Sequence, residues 1–374
     1  MINKDFEMRK ILLLLVFMMC GMMAMADSDQ LAKYVPAGTN VIFYVNVDRL
    51  MGTQLLAEMR QDNSNLDYVI DGLQYKAEEL KLGGNAVKNV LLCRDTGKAA
   101  SSFYIMETIV PQDKFQDVFV ADYAFFNSSI ASNAVVDRKE VSFFEVTRKR
   151  SPGQKYGAYY ITPSIVTIFP MDYLDQTIKA VRSNMPIRGE IANALESMNG
   201  NAVAGLLASL KKRDGISTWG PEFDGLIFVE ITFDLTGANE EDIYLMARFY
   251  CEGTPMASGG VTAGSVSPSA TFVKALREKR DMWLNATFGE GDSELKSEVA
   301  SCINIRLGER RVDMEVKMPA AVYAKLRDLH PDIATECLSV MFDQFQLSEH
   351  MSSGSAPAGA AVEAPAEAAN LFGN

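Results

Sequence analysis

Leu226-Ile227-Phe228-Val229-Glu230-Ile231-Thr232-Phe233-Asp234-Leu235 alternates apolar and polar residues with a period of two. In an extended chain Ile227, Val229, Ile231, Phe233 and Leu235 point one way, while Glu230, Thr232 and Asp234 point the other. The same alternation sets Ile243, Leu245, Ala247 and Phe249 against Tyr244, Arg248 and Tyr250, across a turn from Thr236 to Glu241. It recurs where Val312, Met314, Val316 and Met318 alternate with Arg311, Asp313, Glu315 and Lys317. A strand with one apolar and one polar face belongs in an antiparallel sheet that helices cover on a single side. A doubly wound parallel sheet needs near-continuous apolar strands, which are mostly absent. The fold class that follows is α+β, with antiparallel sheets and helices packed on one face.

Helical periodicity supplies the covering layer. Leu66, Val69, Ile70, Leu73, Ala77 and Leu80 form one stripe, which Gly83-Gly84 stops. Further helical stretches are Leu50 to Arg60, Tyr173 to Arg182, Ile191 to Met198, Thr271 to Lys279 and Ile333 to Phe345, and Met282 to Phe288 reads as a strand. Three places repeat a plan of strand, turn, strand, proline and helix. The first runs through Val90 to Cys93, the Asp95-Thr96-Gly97-Lys98 turn, Phe103 to Val110 and Pro111. The second has Tyr159 to Ile161, Thr162-Pro163, Ile165 to Phe169 and Pro170. The third has Ile303 to Leu307, Gly308-Glu309, Val312 to Met318 and Pro319. Proline suits the first helical position, where its missing N–H costs nothing. A hairpin-proline-helix unit used three times suggests two related halves, the first and third units making the best pair. The expected division is an N-terminal α+β domain at 27–199 and a C-terminal α+β domain at 200–351.

At the N-terminus Arg9 and Lys10 precede an apolar run from Ile11 to Met19, and Ala24-Met25-Ala26 stand before Asp27. That is the layout of an export signal at 1–26 cleaved after Ala26, which places the mature chain in the periplasm or outside the cell. Cys20 offers the alternative of a lipid anchor, with bulky Met19 standing where a small residue would precede it. No later run approaches the roughly eighteen apolar residues of a membrane span, so no transmembrane segment is expected in the mature chain. At the other end the Ser, Gly, Ala and Pro composition of 352–374 is that of a disordered low-complexity tail.

The chain carries a net charge of −12, which becomes −13 when the leader takes away Lys4, Arg9 and Lys10 with Asp5 and Glu7. So acidic a balance argues against nucleic acid as a partner. The basic groups Arg148-Lys149-Arg150, Lys211-Lys212-Arg213 and Arg310-Arg311 are short and have no interleaved aromatics, and they read as solvated surface. Cys93, Cys251, Cys302 and Cys337 are widely spaced without a Cys-x-x-Cys pair, so no zinc site is indicated. They are read as packed hydrophobes, with two disulfides the alternative.

No catalytic, cofactor or metal site residue is assigned. His330 precedes Pro331 at a helix end, where the negative dipole accounts for it, and His350 borders the tail. Ser293-Glu294-Leu295-Lys296 and Ser209-Leu210-Lys211-Lys212 match Ser-x-x-Lys but lack the accompanying elements of penicillin-recognising enzymes. Gly97-Lys98 and Gly289-Glu290-Gly291 are fragments of nucleotide-binding patterns, and no cofactor follows from them. The acidic groups Glu240-Glu241-Asp242 and Glu290, Asp292, Glu294 lack calcium-loop spacing.

Leu31-Ala32-Lys33-Tyr34-Val35-Pro36-Ala37-Gly38-Thr39-Asn40, the strand Val41 to Val47 and Asp48-Arg49-Leu50 resemble the opening of a type of uncharacterised secreted bacterial protein. Those proteins begin with a similar Val-Pro-Ala-x-Thr phrase, strand and helix, and continue through strand and helix repeats to a low-complexity tail. The likeness is specific over Tyr34 to Leu50 and otherwise one of plan; it implies no activity and no site residue. The expected function is that of an exported, non-catalytic binding or scaffold module. Its partner would be an unidentified protein or envelope component, met through the uncovered sheet faces or the Gly253 to Pro268 loop. The alternative is a carboxylate-dependent hydrolase acting on an envelope polymer or peptide.

Overall fold

The computed structural model describes residues 31–36, 38–53, 56–57, 60–61, 64–94, 102–120, 126–148, 151–183, 191, 194–195, 202–210, 225–236, 241–251, 268–308 and 311–330. In chain order the elements are β1 (Val41–Asn46), α1 (Val47–Met51), α2 (Ser64–Glu79), β2 (Val87–Arg94), β3 (Ser102–Thr108) and α3 (Phe115–Phe119). Next come β4 (Phe126–Val136), β5 (Lys139–Arg148), β6 (Ser151–Thr162), β7 (Ile165–Pro170) and α4 (Leu174–Ser183). The remainder is β8 (Ala204–Ser209), β9 (Leu226–Thr236), β10 (Asp242–Cys251), α5 (Pro268–Thr287), α6 (Ser293–Cys302), β11 (Ile303–Leu307), β12 (Arg311–Met318) and α7 (Ala320–Leu329). These strands make one sheet in the order β11-β12-β10-β9-β8-β1-β2-β3-β7-β6-β5-β4. All neighbours in it are antiparallel. The α+β reading holds. Because β8 pairs with both β1 and β9, the sheet runs unbroken past residues 199 and 200.

The alternation in β9, β10 and β12 is realised residue by residue. Val229, Ile231, Phe233, Leu245, Phe249, Val312 and Val316 are buried against Phe272, Leu276 and Trp283 of α5, Val299 of α6 and Leu326 of α7. The same side of the N-terminal strands, with Leu92, Tyr104, Ile168, Ala158 and Val146, packs against Phe115, Val118 and Phe119 of α3 and Ala77 of α2. Phe43 of β1 touches both groups, so the two halves share one covered face. Phe115 anchors α3: it stacks on Phe144 at 4.7 Å between ring centroids and meets Phe119 at 5.1 Å.

Across β1, β2, β3 and β7 the opposite face is covered as well. Ile42, Leu91, Cys93, Phe103, Ile105 and Phe169 pack there against Leu31, Val35, Ile191 and Leu195. Leu174 of α4 joins them, and Ile178 packs on Val136 and Val141. The cause is composition. Every residue of β7 is buried, as are Leu91, Leu92 and Cys93 in succession, so both sides of these strands must be kept from water. One-sided helical cover therefore describes β11, β12 and the greater part of β9 and β10, whose Phe228 and Tyr250 still reach the second cluster, and the middle strands are sandwiched.

The hairpin-proline-helix plan is present three times, as β2-β3-α3, β6-β7-α4 and β11-β12-α7. The prolines stand outside the helices: Pro111 and Pro170 directly precede 3-10 turns, Gln112–Lys114 and Met171–Tyr173, that lead into α3 and α4, and Pro319 directly precedes α7. Pro111, Pro170 and Pro319 combine φ of −67°, −59° and −58° with extended ψ of 155°, 137° and 145°. The ring fixes φ and leaves ψ free, so each proline is still extended and releases the chain into the turn that follows. Which face the helix takes follows the residue before the proline. Val110 and Met318 point to the shared covered face, where α3 and α7 pack, while Phe169 points to the other, where α4 packs. Met282 to Phe288, expected as a strand, is instead the end of α5 through Thr287. Trp283 and Leu284 continue the stripe of Phe272, Val273 and Leu276 into the same core. Cys93, Cys251 and Cys302 are buried and unbridged, and burial pushes each thiol up. Cys337, the 352–374 tail and residues 1–26 with Cys20 lie outside the described residues.

Gly157 of β6 lies opposite Phe169 of β7, and a Cβ there would meet the Phe169 ring at 2.6 Å. Phe169 is fully buried and cannot swing away. Gly157→Ala should therefore lower stability by about 1–3 kcal/mol. Gly153→Ala, with nothing within 4 Å of its added carbon, should change it by under about 0.5 kcal/mol. Urea unfolding midpoints of the two variants check this.

Candidate binding surface

The polar sides of β9, β10, β11 and β12 lie on the face opposite α5, α6 and α7; its inner end, at Phe228 and Tyr250, packs into the second covered cluster with Leu31, Leu195 and Leu207. Register places them in cross-strand rows. Phe228, Tyr250 and Arg311 form one row, and Glu230, Arg248, Asp313 and Arg306 the next. Thr232, Met246, Glu315 and Asn304 form a third, and Asp234, Tyr244 and Lys317 a fourth. The second row alternates in sign from strand to strand, the arrangement that favours antiparallel neighbours. Over the four rows four carboxylates meet four cations, so the surface is electroneutral on a chain of net charge −12.

Two acids organise the contacts. Glu230, 3% exposed, accepts from Arg248 Nη1 at 2.5 Å through Oε1 and from the Tyr250 hydroxyl at 3.1 Å through Oε2. A buried carboxylate is tolerable only when so paired. Tyr250 also packs edge-on against Phe228 at 5.6 Å, and its hydroxyl is pushed up by burial and by the neighbouring Glu230 charge. Glu315 accepts from Lys317 Nζ at 2.8 Å and from the Tyr244 hydroxyl at 3.4 Å, and it pairs with Arg306. The Lys317 hydrogen bond is the main reason its carboxyl lies below the usual carboxylate range. Arg311 Nε stands 2.9 Å from Asp313 Oδ1. At the central border Arg49 of α1 reaches Asp234 at 2.7 Å, joining the start of the chain to β9. The result is a pleated surface of prearranged charges with Tyr244, Met246 and Tyr250 among them.

The residues weighed for chemistry from sequence do not gather here. His330 closes α7, its N–H donating to Leu326 O at 2.8 Å. Its ring packs on Phe288 at 5.0 Å, and Nε2 lies 3.6 Å from Asp292 Oδ2. Lys296 donates to Asn285 Oδ1 at 2.6 Å and Ser293 begins α6. Asp242 accepts from Ala320 N–H at 2.9 Å and so caps α7 from the neighbouring strand. Gly289 precedes, and Gly291 lies within, a single 3-10 turn, Glu290–Asp292, between α5 and α6. Among the described residues no group of three His, Cys, Asp or Glu is placed to hold a metal ion. His350, Gly97-Lys98, Lys212, Glu240 and residues 253–267 lie outside the described residues. The Glu230–Arg248 pair had a sequence signal, since a hairpin that pairs Thr236 with Asp242 also pairs 230 with 248. That Asp313 and Arg306 extend the same row had none, because it depends on β10 pairing with β12.

No family model matches the chain, and no curated protein matches it. Among solved structures, one titled "Structure of crystal form I of TP0453" is similar over 79% of this chain and 97% of that chain. The TM-score is 0.40 and the identity 9%, a general likeness that bears on neither activity nor partners.

Two outcomes follow from the pairing. Arg248→Met leaves Glu230 buried without its cation and should cost about 1–3 kcal/mol, with Glu230→Gln in the same chain restoring part of the loss. A double-mutant cycle by urea unfolding measures the coupling. Because the Glu315 carboxyl is lowered in the folded chain, its stabilisation is present above the ordinary carboxylate pKa of about 4.3 and is lost as pH falls through the lower folded value. Glu315→Gln should accordingly be less stable than the parent at about pH 7, the gap closing by about pH 2.

Proposed function

We propose that this chain is an exported, non-catalytic module of the bacterial envelope that binds a protein or polymer partner through the electroneutral face of β9 to β12. The observation that carries the reading is the prepaired charge array itself. Side chains already held by one another lose little freedom when a partner arrives, and alternating charges select by pattern more than by net attraction. Export is supported by Arg9 and Lys10, the Ile11 to Met19 run and Ala24-Met25-Ala26, and by the resemblance of Tyr34 to Leu50 to secreted bacterial proteins. No described helix is long and apolar enough to cross a membrane. Cleavage after Ala26 is the reading adopted, ahead of a lipid anchor at Cys20.

The hydrolase reading draws support from one feature, the buried Glu230. In a glycoside hydrolase, for example, a second acid must face the first across a substrate with one of them held protonated. Here Arg248 stands between Glu230 and Asp313, which are two strands or roughly 10 Å apart. Glu315 is shifted toward ionisation, the wrong direction for a general acid.

Arg306 and Lys317 are well exposed and outside the apolar core, so reversing both to Glu breaks the charge pattern at the cost of repulsion with Glu315, and circular dichroism of the variant checks that it remains folded. Affinity capture from envelope extracts with the parent and with Arg306→Glu/Lys317→Glu, followed by mass spectrometry, is the test. A single reproducible partner recovered by the parent and depleted about tenfold or more with the variant supports the reading. Equal recovery by both, or a chain found in cytosol with Met1 attached, overturns it.

A further inference from the structure

The two outermost strands differ in how they meet solvent. β11 has five residues, among them the exposed, charged Arg306, and shortness and charge are what keep an edge from pairing with other chains. β4 has eleven residues, Phe126-Asn127-Ser128-Ser129-Ile130-Ala131-Ser132-Asn133-Ala134-Val135-Val136, with neither a charge nor a proline. Ile130 and Val135 are 62% and 74% exposed. Among the described residues no strand lies beyond β4.

The turn at its end decides which backbone groups are open. Asp137 and Arg138, with φ of 50° and 62°, form a two-residue connection between Val136 and Lys139. Two positive φ values describe a type I′ turn, which closes a hydrogen-bonded pair at its base. Such pairs alternate along an antiparallel ladder. Ile130, Ser132, Ala134 and Val136 therefore turn their N–H and C=O toward β5, while Ser129, Ala131, Asn133 and Val135 turn theirs outward. The Gln116 side chain agrees with this phase, donating to the outward Ser129 carbonyl at 3.0 Å. Helix α4 steadies the hairpin, Arg182 Nη1 donating to Val136 O at 3.2 Å and Lys179 standing 3.4 Å from Asp137.

We propose that β4 is the interface of a homodimer, two copies meeting edge to edge about a two-fold axis through Ser132. The two-fold makes the strands antiparallel and joins like faces, so the sheet of one copy continues into that of the other. In this register Ala131 lies opposite Asn133 and Ser129 opposite Val135 as hydrogen-bonded pairs, the exposed Gln116 side chain giving up the Ser129 carbonyl to the incoming Val135 N–H, while Ile130 lies opposite Ala134. Each large apolar side chain faces a small one. A second copy is the fitting occupant because each chain carries −12, and an uncharged strand meets its own image without setting like charges side by side. The contact also closes on itself, whereas pairing β4 with β11 of another copy would propagate as a filament.

Sedimentation equilibrium of the full chain over a concentration series should show twice the monomer mass. Asn133→Pro removes an outward N–H that β5 does not use, so its thermal midpoint at low concentration should match the parent while dimerisation weakens about tenfold or more. If that midpoint falls, Ala131→Lys serves instead, placing cations on both sides of the axis without touching the β5 ladder. Ser132→Cys sets two thiols across the axis at a non-hydrogen-bonded position, where Cα atoms stand about 4.5 Å apart and a disulfide can form. Mild oxidation should give a covalent dimer for Ser132→Cys and not for Ala134→Cys. A chain monomeric at every concentration, a dimer indifferent to the edge substitutions, or equal crosslinking at 132 and 134 overturns the proposal.

Discussion

Each side chain in an extended strand is committed by position to one of two faces, and a shift of a single residue would exchange them. That parity governs this molecule. It sends the apolar residues of β9, β10 and β12 toward α5, α6 and α7 and leaves their charges together on the far side. It also distinguishes α4 from α3 and α7, since the residue before Pro170 faces the opposite way from those before Pro111 and Pro319. A burial of several dozen apolar side chains enforces the choice, at about 25 cal/mol for each square ångström removed from water.

On the uncovered side the same rule brings together residues far apart in sequence. Glu230, Arg248, Asp313 and Arg306 come from four strands and fall in one row because every pairing in between is in register. The buried Glu230 adds little net stability once desolvation is set against its attraction to Arg248. What it supplies is position: Arg248 and Tyr250 are both fixed by its oxygens. A surface organised in this way presents a defined pattern at little entropic cost.

Much of this was legible in the residues. Alternation from Leu226 to Leu235 and its two echoes gave the antiparallel sheet, and the polar members of those strands are the ones that line the candidate surface. The three prolines marked real transitions, though outside the helices, because the sequence carries the fixed φ of proline and not the ψ its surroundings select. Met282 to Phe288 misled because a short apolar run fits either period, and only its neighbours in the core, Phe272 and Leu276, decide for a helix. β4 went unread: Ser, Asn and Ala alternate weakly, and what holds the strand is the ladder to β5 rather than a buried face. The second covered face was missed because it depends on where β1, β2, β3 and β7 sit in the sheet order.

The pairing of Val41 with Ala208 and of Val45 with Ala204 has a consequence for how the chain comes together. Strands β1 to β7 can assemble among themselves, with β1 at the rim; β8, β9, β10 and the β11-β12 hairpin then extend the sheet from that rim. Long-range pairing of this kind is slow. Until β8 arrives, β1 is a bare rim with apolar groups on both sides, the type of surface on which nascent chains stick to one another. Truncation before residue 204 would make that transient state permanent, and such fragments would be expected to aggregate.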